Sequence, residues 1–174
     1  GDRQGDVWIG TDKGLTCWHA GKLASFTTHD GLSDNDVDAL YEDAEHVLWI
    51  GTKSGGLNRF KGGKFTAYTT RQGLYGDEVF AIVEDDFGNL WMSCHRGIFR
   101  VSKEALNQFA AGKIAVVTCR RYGKADGLTS IQCSGTAKPG AWKGRDWRLW
   151  FPTFQGLVAV NTRIRPNDKL EPVV

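Results

Sequence analysis

The chain has 174 residues, 22 Lys and Arg against 20 Asp and Glu, and 41% hydrophobic side chains, an ordinary globular composition with room for one substantial core. A net charge of +2 without a basic stripe leaves no electrostatic footprint for nucleic acid, and no apolar run reaches the roughly 18 residues of a membrane span. Nucleic acid and direct membrane insertion of this segment are therefore excluded as partners, and no basic stretch followed by an apolar run reads as a signal peptide.

The first clear element is a strand, Val7 to Thr11 (VWIGT), and its phrase returns as LWIGT at Leu48 to Thr52, LWMSC at Leu90 to Cys94 and LWFPT at Leu149 to Thr153. The tryptophans Trp8, Trp49, Trp91 and Trp150 are 41, 42 and 59 residues apart, so two repeats match in length and one carries an insertion. A period in the low forties belongs to propellers. The second repeat shows the unit: alternating Val37 to Glu42, a turn, Leu48 to Thr52, a Gly-Gly turn, Leu57 to Phe60, another turn, and alternating Lys64 to Thr69. The third repeat follows as Val79 to Glu84, Leu90 to Ser93, Gly97 to Val101 and a displaced strand near Ala115 to Tyr122.

Aligning Asp2 to Gly5 with Asp85 to Gly88 starts the first repeat at the turn between its first two strands, so its innermost strand is missing while three later repeats look complete. The expected fold is all-β: a single partial β-propeller over 1–174 of about four four-stranded antiparallel blades, with blades at 1–28 (partial), 29–70, 71–122 and 123–174. Unpaired edges of such an arc are expected to be covered by the remainder of the propeller or by a second copy of the chain.

The insertion, Ser102 to Gly112, supplies a Ser cap, helix formers, apolar Ala105, Leu106 and Phe109 at helical spacing, and a glycine stop, which predicts a short helix on the outer rim. The four phrase tryptophans are read as scaffold between blades. Gly5 and Gly88 stand three residues before a tryptophan, where a left-handed backbone is expected, and His46 and Trp147 take the same place in the other repeats. Trp147 either serves a contact or covers an apolar rim. The four cysteines, Cys17, Cys94, Cys119 and Cys133, are expected to be free, since Cys94 and Cys119 lie two strands apart in one blade and no Cys-x-x-Cys motif is present. Glu42-Asp43 and Glu84-Asp85-Asp86 recur at equivalent turns and read as turn formers.

LWIGT-x-x-GGL-N-R-F, the K-F-T-A-Y strand, a Gly-Leu pair and V-x-A-I-x-E-D-x-x-G-N-L-W together resemble the two-component regulator propeller repeat, with Leu48 to Leu90 as the best copy. Gly127 through Val158 is similar to the last blade of such propellers, and Glu171 to Val174 to a junction with a following β-sandwich. The resemblance implies a periplasmic or otherwise extracytoplasmic sensor segment of a bacterial transmembrane signalling protein, commonly a hybrid histidine kinase and sometimes a diguanylate cyclase. It also implies a carbohydrate-like small ligand.

No His-x-x-x-His pair, Gly-x-Ser-x-Gly elbow or phosphate-cradling loop occurs, so no catalytic residue, metal or cofactor is expected. In a propeller the turns between strands two and three share one face with the crossings between blades. This face brings together Asp12, Lys13, Lys53, His95, Arg96 and Gln155 from the turns with Asp34, Asn35, Tyr75 and Asp77 from the crossings. Their mixed donors and acceptors suit a polyhydroxylated or anionic ligand. Two alternatives remain: a lyase-type propeller enzyme, which needs His and Glu converging on a metal, and a protein-interaction scaffold, which needs a large apolar patch.

Overall fold

Trp49 and Trp91 are fully buried because each blade stacks its sheet on the next, and the sheets are built by local meanders that need no distant pairing. The computed structural model describes residues 5–128, 130, 132–137 and 139–163. The first blade holds β1 (Val7–Thr11), β2 (Gly14–His19) and β3 (Lys22–Phe26). The second holds β4 (Val37–Glu42), β5 (Leu48–Thr52), β6 (Leu57–Lys61) and β7 (Lys64–Tyr68), paired in sequence order. In the third, β8 (Ala81–Glu84), β9 (Asn89–Cys94), β10 (Gly97–Ser102) and β11 (Cys119–Tyr122) repeat that order around an insertion, α1 (Lys103–Ala110). The fourth shows β12 (Trp142–Lys143), β13 (Arg148–Thr153) and β14 (Gly156–Asn161). The outer strand expected for this blade, the junction near Glu171 and the turn at Asp2 lie outside the described residues.

Three apolar seams join the blades. Between the first and second, Leu15, Leu32, Val37, Leu48 and Ile50 pack with Trp8, whose ring meets Phe26 at 6.1 Å and Phe60 at 5.5 Å. Trp49, Leu57, Tyr68, Val79, Met92 and Phe99 fill the second seam, and Trp91, Tyr122, Leu128, Leu149 and Phe151 the third. A buried indole at such a seam contributes on the order of 4 kcal/mol of transfer free energy. Close approach is built in by glycine: a Cβ on Gly10 would sit 2.5 Å from Val37 Cγ1, and one on Gly51 2.5 Å from the Val79 carbonyl oxygen.

A recurring crossing explains the Gly-Leu pairs. After each outer strand a 3-10 turn, Thr28–Asp30, Thr70–Gln72 or Lys124–Asp126, ends on a left-handed glycine, and the following Leu32, Leu74 or Leu128 is buried in the seam. Thr27 and Thr69 cap the first two turns, accepting from the His29 and Arg71 backbone N–H groups.

The insertion departs from its expected role. It forms the predicted helix, with Ser102 accepting from Ala105 N, but it is not rim decoration. Leu106 is fully buried in the second seam, Tyr68 Oη donates to its carbonyl at 2.8 Å, and Arg59 Nε donates to Asn107 Oδ1 at 2.9 Å. The helix pins the outer strand of the second blade to the third. Lys103 anchors its start, with Nζ 2.8 Å from Glu84 and 3.4 Å from Asp43.

The left-handed positions are as expected, with φ of 57° at His46 and 65° at Trp147 beside 87° at Gly5 and 75° at Gly88. Trp147 is half-buried, 6.4 Å from the Phe87 ring and beneath the Arg163 guanidinium, so it covers the rim of the third seam. The scaffold reading of Trp150 is incomplete. It is half-buried on the face of β13 turned away from the third blade, where it lines an apolar groove with Trp142, Pro152 and Leu157.

Candidate functional site

The turns after β1, β5, β9 and β13 and the crossings between blades do share one face, but only part of the predicted set converges there. Tyr75, His95, Arg96 and Gln155 line one cleft of about 480 Å³ between the third and fourth blades, with Lys124, Ser130 and Gln132 completing it. Tyr75 comes from the crossing into the third blade, His95 and Arg96 from the turn between β9 and β10, and Gln155 from the turn between β13 and β14.

The cleft is held by side chains that brace one another. Arg96 lies over the Tyr75 ring, 4.6 Å from its centroid, and its Nη2 donates to the Tyr75 carbonyl oxygen. Tyr75 Oη donates in return to the Arg96 carbonyl at 3.4 Å. His95 Nδ1 is 2.9 Å from Glu78 Oε2, and its ring stands edge-on to Phe80 with centroids 4.6 Å apart. These contacts fix Arg96 and His95 as the wall of the third blade, while Gln132 and Gln155 reach in from the fourth.

Four of the remaining six candidates serve the crossings. Asn35 Oδ1 accepts from Thr28 N at 2.9 Å, and Asp77 accepts from Thr70 N and, at 3.1 Å, from its hydroxyl, so these equivalent residues lock the 3-10 turns. Asp34 accepts from Ser54 N at 2.9 Å. Lys53 donates to Asp36 at 3.0 Å, and that hydrogen bond, with the charges of Asp36, Asp38 and Asp34, raises its pKa. Asp12 and Lys13 project from the turn after β1 and share no hydrogen bond or ion pair with another candidate among the described residues.

Sequence reasoning passed over Lys124, Ser130, Gln132 and Glu78. Glu78 adjoins Asp77, and Lys124 opens the third 3-10 turn, so the repeat frame could have found both. Ser130 and Gln132 lie in the irregular approach to the fourth blade, which has no counterpart elsewhere in the chain. A larger concavity of about 530 Å³ lies on the opposite side beside α1, where several polar groups are engaged in the fold: Lys103 joins Asp43 and Glu84, Glu104 accepts from Gln108, Asn107 accepts from Arg59, and Ser102 caps the helix. Among the described residues no group of three or more His, Cys, Asp or Glu side chains could hold a metal ion, and no helix is long and apolar enough to cross a membrane.

Residues 31–54 match the family described as Two component regulator propeller. No curated protein matches the chain in sequence. Among solved structures, the extracellular domain of the hybrid two component system BT4673 from B. thetaiotaomicron is similar over 99% of this chain and 24% of its own, at 25% identity and a TM-score of 0.79. The extracellular domain of BT3049 from the same organism is similar over 98% of this chain and 21% of its own, at 22% identity and a TM-score of 0.67. The chain thus spans about a quarter of those structures or less. A catalytically inactive virginiamycin B lyase from Staphylococcus aureus shares the fold at 17% identity and a TM-score of 0.65, over 94% of this chain and 51% of its own. The chain is a stretch of about four β-propeller blades that carries the two-component regulator propeller repeat.

Proposed function

We propose that this chain is part of an extracytoplasmic sensor propeller of a bacterial two-component signalling protein, that it acts by binding rather than by catalysis, and that the cleft between its third and fourth blades receives a polyhydroxylated, carbohydrate-like small molecule. The observation that carries the reading is the convergence of Tyr75, His95, Arg96, Gln132 and Gln155 on that one cleft. A stacked aromatic, a guanidinium and two amides supply the apolar face and the paired donors and acceptors that sugar hydroxyls need. The repeat family and the extracellular sensor domains that share the fold support the same reading.

A thermal-shift screen of the 174-residue chain against an oligosaccharide library tests it. A ligand at 100 times its Kd stabilises by about 2.7 kcal/mol, a rise in Tm of about 5–10 °C for a chain of this size. Gln155→Ala is expected to reduce that rise. A library that moves Tm nowhere overturns the reading. The lyase-type alternative is favoured by one observation, the His95–Glu78 hydrogen bond on the ligand face. Incubating the chain with a streptogramin B antibiotic and following its loss tests that alternative.

A further inference from the structure

Resting on the ligand-sensing reading of this cleft, we infer that its ligand carries an anionic group, a carboxylate or a sulfate, that sits between Arg96 and Lys124. The two cations stand on different blades: Arg96 in the turn between β9 and β10, Lys124 at the start of the crossing into the fourth blade. Among the described residues none that lines the cleft is acidic.

The nearby carboxylates do not quench the pair. Glu78 is engaged with the His95 ring, Asp77 with Thr70, and Asp126 with Arg120 and the Gly123 backbone N–H. Among the described residues no carboxylate lies within ion-pair distance of Arg96 or Lys124. The contrast with the second blade is direct. There Lys53 is bonded to Asp36 and surrounded by the charges of Asp34 and Asp38, so the same face carries a neutralised cation one blade away. In a chain with 22 basic and 20 acidic side chains, two cations in one cleft with no ion pair among the described residues form a local surplus rather than a general property of the surface.

Arg96 is also arranged in advance. Stacking on Tyr75 and one bond from Nη2 to the Tyr75 carbonyl fix the plane of the guanidinium and leave other N–H donors of the fork unused. A planar, partly immobilised fork matches a carboxylate or sulfate in two bonds and loses little side-chain entropy in doing so. Lys124 supplies a second charge from the crossing into the fourth blade, and Ser130, Gln132 and Gln155 are left for neutral hydroxyls.

The test is calorimetric titration of the 174-residue chain with uronic-acid oligosaccharides and their carboxyl-reduced counterparts, and with sulfated oligosaccharides and their desulfated counterparts. At least one acidic member is expected to bind about tenfold or more tightly than its neutral counterpart, a preference that falls with added salt and collapses towards unity in R96Q and in K124Q. Whichever pair shows the preference identifies carboxylate or sulfate. Equal binding of acidic and neutral counterparts, or a preference that survives both substitutions, overturns the anionic inference and leaves the sensing reading standing. Binding of no member by a chain whose circular dichroism shows it folded overturns both.

Discussion

Trp91 donates its indole N–H to Asp85 Oδ2 at 2.8 Å, and the same carboxylate accepts from the Phe87 and Asn89 backbone N–H groups and from Asn89 Nδ2, each at 2.9 Å. Trp49 and Asp43 repeat the arrangement in the second blade, with Asp43 accepting from Glu45 N, Val47 N and Trp49 Nε1. One buried carboxylate six residues before the tryptophan therefore closes the turn and satisfies the indole. At Trp150 that position is Gly144.

Asp85→Ala is expected to destabilise the chain by about 2–4 kcal/mol, because it strands several buried donors together. Chemical denaturation of the variant, of Trp91→Phe and of the double variant should give a coupling of about 1–2 kcal/mol. Additive effects would show that the Trp91–Asp85 bond is incidental.

Asp43 makes stability depend on acid. Burial by itself would raise its pKa, but the bonds from Trp49, Val47 and Glu45 and the charge of Lys103 hold it below the ordinary value of 3.8. A depressed folded pKa contributes stability that is fully present above the unfolded value and is lost as pH falls through the folded one. The difference in urea midpoint between the wild type and Asp43→Asn is therefore expected to be large at pH 7 and to shrink below about pH 4. A gap independent of pH would contradict this.

The thiols are expected to be slow. Cys17, Cys94 and Cys133 are buried, Cys119 is half-buried, and none of the four forms a disulfide among the described residues. Burial pushes Cys119 up to about 11 and Cys133 up to about 12, where the nearby Cys94 also contributes, and it raises Cys94 itself. At pH 8 the thiolate at Cys119 is then about one part in a thousand, so a disulfide reagent should count four thiols only after unfolding. A rapid stoichiometric reaction of the native chain at Cys119 or Cys133 would exclude these environments.

Both end faces of the arc are apolar. Trp142, Phe154 and Leu157 are exposed on the fourth blade, and Val7, Ile9, Trp18 and Leu23 on the first. We expect further blades to cover these faces, and in the 174-residue chain alone a second copy to do so. Sedimentation velocity should show self-association at micromolar concentration that Trp142→Glu or Leu23→Glu weakens about tenfold or more. A wild-type monomer at those concentrations would contradict it.

The blade frame was legible because the tryptophan phrase has a phase. Six residues before Trp49 and Trp91 stands a carboxylate, three before each phrase tryptophan the left-handed residue, and the Gly-Leu pair marks each crossing. Tyr75, His95, Arg96 and Gln155 followed from that frame, since topology alone puts their loops on one face. Asp34, Asn35, Lys53 and Asp77 do not line that cleft, because a polar side chain in a turn or crossing can bond its own backbone surroundings as readily as it can meet a ligand. Only the positions of Thr28, Ser54 and Thr70 decide between the two. Gln132 and Ser130 had no repeat counterpart from which a position could be inferred, and α1 was read as decoration because its apolar stripe does not reveal which seam it enters.

Hydrogen–deuterium exchange of the chain with and without the oligosaccharide that stabilises it most tests the central claim most directly. The account predicts protection confined to the crossing around Tyr75 to Glu78, the turn at Cys94 to Gly97, the crossing from Lys124 and the turn at Gln155. Protection that falls beside α1, or on the exposed faces of the first or fourth blade, would contradict it.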